Sequence, residues 1–184
     1  MPPESHFFDF VFSENDYRFL DTLSKAVAEA GSPELSIATG LREICRYGKW
    51  DFGQSWIPDA GEQRLDPGPF WMADPKMHAY RETSVASETK YGIGLLWGAF
   101  LNRRPVICLD FASEPVFRRL EGARAAGLRG GVFVPVVEGP QTRGVVEFLS
   151  RSPRAEDARR GGFAMSAAGK LAAAMKVSGA RSTP

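Results

Sequence analysis

The sequence predicts an α/β protein of the α+β kind, built on one mostly antiparallel sheet of five or six strands with helices covering it. Three observations carry this. Apolar residues recur at helical spacing near both ends of the chain and in strand-like runs between them. Most strand-like runs are close neighbours joined by short turns, which favours antiparallel pairing. No strand–helix–strand repeat is long enough for a doubly wound sheet. The 184 residues, 43% of them apolar and 24% charged, suit a single domain with a core of its own.

Ser13 and Asp16 have capping-box spacing, and Phe19, Leu20, Leu23, Ala26, Val27 and Ala30 follow on one helical face, with Gly31 as the stop. Ser32 caps a second helix with Pro33 in its first turn; its apolar stripe is Ile37, Leu41, Ile44 and Cys45, and it ends near Gly48. Trp50 to Ile57 reads as an aromatic-bearing strand closed by the turn Pro58-Asp59-Ala60-Gly61. Glu62 to Phe70 returns beside it. From Trp71 to Trp97 no clean period holds, which predicts a long connection with one or two short helices, the kind of segment that forms a lid or binding loop. Pro105 to Phe111 reads as a short apolar strand. Ser113 then caps a helix marked by Val116, Leu120, Ala123 and Gly127, with Phe117 adjacent. Arg129 to Val137 and Gln141 to Ser150 make the clearest hairpin, turning at Glu138-Gly139-Pro140. Ser152-Pro153 opens a last helix towards Met175, with Gly161-Gly162 as the place for a kink. The expected organisation is an arm over 1–12, one domain over 13–177 and a loose tail over 178–184.

No run of 18 apolar residues is present, so no membrane contact is expected, and residues 1–12 lack the basic start and apolar stretch of a secretory signal. A cytoplasmic location is the expectation, with Cys45 and Cys108 as buried, reduced thiols. Charge is uneven: residues 1–40 hold seven acids and two bases, and residues 141–184 hold eight bases and three acids. That asymmetry suits contact between the two ends better than a nucleic-acid surface, which wants a stronger basic excess with aromatic or amide readers beside it.

Three stretches, taken together, resemble a known family. Leu41-Arg42-Glu43-Ile44-Cys45-Arg46-Tyr47-Gly48-Lys49-Trp50-Asp51-Phe52-Gly53-Gln54-Ser55-Trp56 looks like the opening helix and first strand of bacterial GAF domains. Arg104-Pro105-Val106-Ile107-Cys108-Leu109-Asp110 resembles their middle strand. Ala125 to Val136, continued by Gly144 to Ser150, resembles their closing hairpin. The likeness covers residues 33–175. It implies terminal helices on one face of the sheet, a small-molecule pocket on the other, and a role as a sensor or relay, as in the GAF domains of sensor histidine kinases. The alternative is a structural or dimerisation domain that has lost ligand binding. The Asn-Lys-x-x-Asp mark of cyclic-nucleotide binders is absent. Asp-Ile-Pro and Cys-His, the marks of bilin binders, are absent too. Two cysteines are also fewer than sulfoxide reductases of similar fold use.

No residue pattern points to catalysis. Neither Ser84 nor Ser87 near His78 stands in a nucleophile-elbow pattern. Gly92-Ile93-Gly94 is too short for a phosphate cradle. No Cys/His/Asp grouping has metal spacing, and His78 is read as a surface or hydrogen-bonding residue before a haem ligand. No cofactor is therefore expected, and the protein should be colourless. Trp56, Phe70, Trp71, Met72, Met77, Tyr80 and Trp97 crowd around the irregular segment. They fit either a core extended under a long loop or a largely apolar pocket with Gln54, His78 and Tyr80 as polar orienters. Glu147 stands inside an otherwise apolar strand. It lies either on an exposed sheet face or in the pocket towards Arg129 or a cationic ligand, and the buried case demands a partner. The candidate ligand residues are thus Gln54, Trp56, Phe70, Trp71, His78, Tyr80, Trp97 and Glu147. A homodimer is expected through the terminal helices, by the stripes Phe19, Leu23, Val27 and Phe163, Ala167, Leu171, Met175. A histidine kinase or another signalling protein is the expected downstream partner.

Overall fold

The computed structural model describes residues 11–87, 91–154 and 160–181. Ser13 and Asp16 form the capping box: the Asp16 N–H donates to the Ser13 hydroxyl, and the Ser13 N–H donates to the Asp16 carboxylate at 2.8 Å. This satisfies donors that the first turn of a helix leaves orphaned and starts α1 (Glu14–Ala28). Ser32 caps α2 (Pro33–Gly48), which buries Ile37, Leu41, Ile44 and Cys45 in one stripe. The sheet strands are β1 (Phe52–Pro58), β2 (Leu65–Met72), β3 (Val106–Cys108), β4 (Gly130–Glu138) and β5 (Gln141–Ser150). They run in the order β2-β1-β5-β4-β3, every neighbouring pair antiparallel. Pro67 and Pro69 are tolerated in β2 because it is an edge strand.

Between β2 and β3 lie α3 (His78–Ala86) and α4 (Leu95–Asn102), which give the irregular segment its order. The strand expected over Pro105 to Phe111 is cut to three residues. The helix expected from Ser113 begins only at α5 (Leu120–Ala125), while Ser113 closes a short 3-10 turn, its hydroxyl donating to the Asp110 carbonyl. Pro115 is the reason. Its ring disfavours helical backbone at Glu114, which sits extended at φ −107°, ψ 98°.

The last helix also differs from expectation. Residues 152–154 are not helical, and the helix expected to start there runs on into 155–159, outside the described residues. α6 (Gly161–Gly169) and α7 (Ala172–Arg181) follow, with a break between them after Gly169; Gly161-Gly162, where a kink is expected, is the start of α6, and the residues before it at 155–159 lie outside the described residues. There the Lys170 and Leu171 N–H groups donate to the Ala167 and Ala168 carbonyls, a tightened i to i−3 turn. Helix α7 continues through Arg181, so the expected loose tail from 178 begins in helix; residues 182–184 lie outside the described residues. Among the described residues no helix is long and apolar enough to cross a membrane.

Strand alternation divides the molecule into two cores. Helices α1, α2, α6 and α7 cover one face, over Val132, Val134, Val136, Val146 and Phe148. Leu23, Val27, Phe163, Ala167, Leu171 and Met175 are all buried here. The stripes expected to pair two copies therefore hold the fold together, and a second copy would have to meet other surfaces. Gly40 permits one of these contacts, since a Cβ there would collide with Leu171. The opposite face carries Phe52, Trp56, Phe133, Val145 and Leu149, covered by α3, α4, α5 and the loop before α5.

Candidate functional site

The second face holds a row of residues that crosses the sheet. Phe70 on β2 pairs with Gln54 on β1, Gln54 with Glu147 on β5, and Glu147 with Phe133 on β4. Two polar side chains thus occupy the middle of the sheet, walled by aromatic rings, and both are completely buried.

Glu147 has a partner, and it is not Arg129, which is exposed. Arg119, the residue just before α5, extends over the sheet and grips Glu147 by both oxygens at 2.7 and 2.6 Å. A bidentate guanidinium–carboxylate pair is the geometry that best offsets the desolvation of two buried charges. Arg119 also donates to the Ser84 hydroxyl at 3.3 Å. Its guanidinium lies 5.1 Å from the Trp56 ring, 5.2 Å from Phe117 and 5.7 Å from Tyr80, so three π-faces share its charge. Burial opposes that charge, but Glu147 beside it outweighs the penalty and holds the guanidinium above its ordinary pKa.

Around this pair stand polar atoms that are buried and lack hydrogen-bond partners among the described residues: both amide atoms of Gln54, Nε1 of Trp56, the Tyr80 hydroxyl and Nε of Arg81. Ser84 lies near the Tyr80 hydroxyl, but outside hydrogen-bond geometry. Burial pushes the Tyr80 phenol well above its usual pKa, so it stays protonated and able to donate. Arg81 stacks on the Phe70 ring at 4.8 Å, and burial lowers its pKa while Glu147 supports its charge. Five orphaned atoms around one ion pair are exceptional, because each buried polar atom left unpaired costs about 1–3 kcal/mol. A cleft of about 50 Å³ reaches Arg119 from the surface, lined by Ile93, Gly94, Trp97, Val116 and Phe117 among others. Gly94 adopts a φ of +95° at the mouth, a backbone conformation that favours glycine.

Of the residues singled out in the sequence, Gln54, Trp56, Tyr80, Trp97 and Glu147 meet in this core. Phe70 sits at its rim, 37% exposed. Trp71 does not join them: it pairs with Gly53 and packs on the opposite, helix-covered face. His78 does not either. Its side chain is 65% exposed and faces Glu82 one turn along α3, whose inward residues are Tyr80 and Ser84. Arg119 and Arg81 are the functional residues the sequence reading passed over. The available signal was Glu147 itself, a carboxylate in an apolar strand that required a cation. Among the described residues no group of three or more His, Cys, Asp or Glu is placed to hold a metal ion.

A sheet with this strand order, paired helices on one face and a polar-centred core on the other defines a small α+β module. The chain belongs to the GAF domain family, whose model matches residues 37–176. Solved structures agree on the fold. The GAF domain from a Coxiella burnetii phosphoenolpyruvate-protein phosphotransferase superposes with a TM-score of 0.74 at 17% identity, covering 91% of this chain and 95% of that one. The corresponding Acinetobacter domain gives 0.73 at 14% identity, covering 92% and 98%. A free methionine-R-sulfoxide reductase from Neisseria meningitidis, solved with its substrate, gives 0.68 at 15% identity, covering 94% and 96%. At these identities the likeness is one of fold. No curated protein matches the chain by sequence.

Proposed function

We propose that this GAF domain is a regulatory module that recognises a small molecule on the Gln54–Glu147 face and performs no catalysis of its own. The carrying observation is the set of orphaned polar atoms at Gln54, Trp56, Tyr80 and Arg81, held around a fixed ion pair in an aromatic shell. A core built only for stability would replace them with apolar groups. Strand β1 offers a route outward: Gln54 faces the site, while the preceding residue, Gly53, lies against Cys45 of α2 on the other face. A ligand that moves β1 therefore shifts the packing of α2, and a signalling partner can read that surface.

The thiols argue against reductase chemistry like that of the Neisseria protein. Cys45 is on the helix-covered face and Cys108 on the site face, and burial raises both thiols above their ordinary pKa, Cys45 strongly. A reactive cysteine needs the opposite shift.

The small cleft favours one rival reading, a domain that keeps the fold and binds nothing. Native mass spectrometry of the whole chain purified from its own host separates the two. The expected result is a fraction carrying a small-molecule adduct that is lost on denaturation. A bare polypeptide mass, with no thermal shift from any metabolite pool, would establish the structural reading instead.

A further inference from the structure

The orphaned atoms around the ion pair are mostly donors. Trp56 Nε1–H, the Gln54 amide nitrogen and Arg81 Nε–H can only donate, and the Tyr80 hydroxyl does so readily; the Gln54 carbonyl oxygen is the one dedicated acceptor. Glu147 does not reverse this balance: Arg119 bonds both its oxygens, and none of the orphaned donors reaches the lone pairs that are left. The charges lean the same way: Arg119 and Glu147 cancel, and among the described residues Arg81 adds a further positive charge that Glu147 senses. Water brings equal numbers of donors and acceptors and leaves the surplus unmet. A carboxylate or similar oxyanion accepts only, at about four lone-pair sites. Size is limited as well. The orphaned atoms are buried, and the cleft of about 50 Å³ that ends on Arg119 touches none of the four residues that carry them, so only a ligand small enough to be enclosed among them fits.

We propose that the ligand of this site is a small, planar, acceptor-rich anion, bound by Tyr80, Trp56, Gln54 and Arg81. The Arg119–Glu147 pair is the rigid base that positions Trp56 and Tyr80 and does not itself supply the binding charge. This rests on the sensing function proposed above and gives it a ligand class.

The test uses formate, acetate and nitrate as probes against formamide, acetamide and methylammonium, read by calorimetry and thermal shift on the full chain. The anions should bind and raise the melting temperature, while the neutral amides and the cation should not. Formate and acetate together against nitrate distinguish an organic carboxylate from an inorganic oxyanion. Tyr80→Phe, which removes one oxygen and leaves the ring, should weaken anion binding about tenfold, the worth of one hydrogen bond to a charged group. Arg81→Gln, at a half-buried position outside the core, should abolish the preference for anion over amide. Far-UV circular dichroism checks that each variant is folded. Equal binding of acetate and acetamide, or a native mass spectrum showing a neutral or cationic adduct, overturns the anion while the sensing function stands. Silence from every probe together with a bare native mass overturns both.

Discussion

The two faces of the sheet are built from the same strands to opposite ends. On the helix-covered face, buried contacts are made by Leu, Ile, Val, Ala and Met around Trp50, Phe148 and Phe163, and small residues such as Gly40 let helices close in. On the other face the sheet presents Gln54 and Glu147 among aromatic rings, with Arg119 and Ser84 buried beside them. Burying those groups costs stability, which apolar substitutes would not. Both faces bury apolar side chains, and the second uses part of the free energy so gained to hold polar groups in fixed positions away from water. That division is what a binding module requires, since a site can discriminate only if its donors are already placed.

The largest effect should come from cutting the ion pair on one side. Arg119→Leu leaves Glu147 as an unpaired buried charge and should lower unfolding stability by about 3–5 kcal/mol, measured by denaturant titration. Replacing both partners, Arg119→Met with Glu147→Met, should recover most of that loss. A single variant within about 1 kcal/mol of wild type, the range of an exposed pair, would mean that water reaches the pair. The contrast between the faces would then fail. Leu171→Ala tests the other side. It should cost about 2–5 kcal/mol through a cavity beside Gly40, yet leave the acetate response of the folded protein unchanged.

The helix-covered face was largely legible in the sequence because local signals specify it. Capping at Ser13 and Ser32, the period of Ile37, Leu41, Ile44 and Cys45, and the hairpin turning at Gly139-Pro140 all act within a few residues. The site was legible only in part. A one-residue step along β2 sends Phe70 and Trp71 to opposite faces, and composition cannot fix that register. The partner of Glu147 lies 28 residues away, on a loop whose path is set by Pro115 and by the cover of the sheet. Glu147 announced that a cation was needed, but only the tertiary structure selects Arg119 over Arg129.

A smaller effect of opposite sign is expected at Gln54. Both ends of its amide are buried and unpaired, so Gln54→Met removes a desolvation penalty while keeping the side-chain length. We expect a gain of about 1–3 kcal/mol, which corresponds to about 2–4 °C in Tm per kcal/mol at this chain length, together with loss of the anion response. Such a trade of function for stability is the mark of a polar group kept for binding. A destabilised Gln54→Met variant would show that the amide is satisfied in solution, and the donor count would have to be redrawn.

The smallest effect belongs to the helix-covered face and disappears in acid. Asp16 is buried at the start of α1. Burial pushes its pKa up, but the Ser13 hydroxyl and N–H and the Tyr47 hydroxyl donate to its oxygens, and Arg160 adds a favourable charge. The balance leaves the carboxyl below its ordinary value of 3.8. A group whose pKa is lower in the folded state adds stability that is complete above the unfolded value and disappears as pH falls through the folded one. Asp16→Asn removes the charge while keeping the shape. It should cost about 1 kcal/mol at neutral pH, the usual worth of a cap, and the two proteins should converge as pH drops from 3.8 downward. Thermal unfolding between pH 7 and pH 2 reads this directly. A gap that stays constant across that range would mean that Asp16 acts through packing against Tyr47 and not through its charge. The acid sensitivity of this face would then have to come from another carboxylate, with Glu138, held below its usual range by Arg143, as the next group to replace.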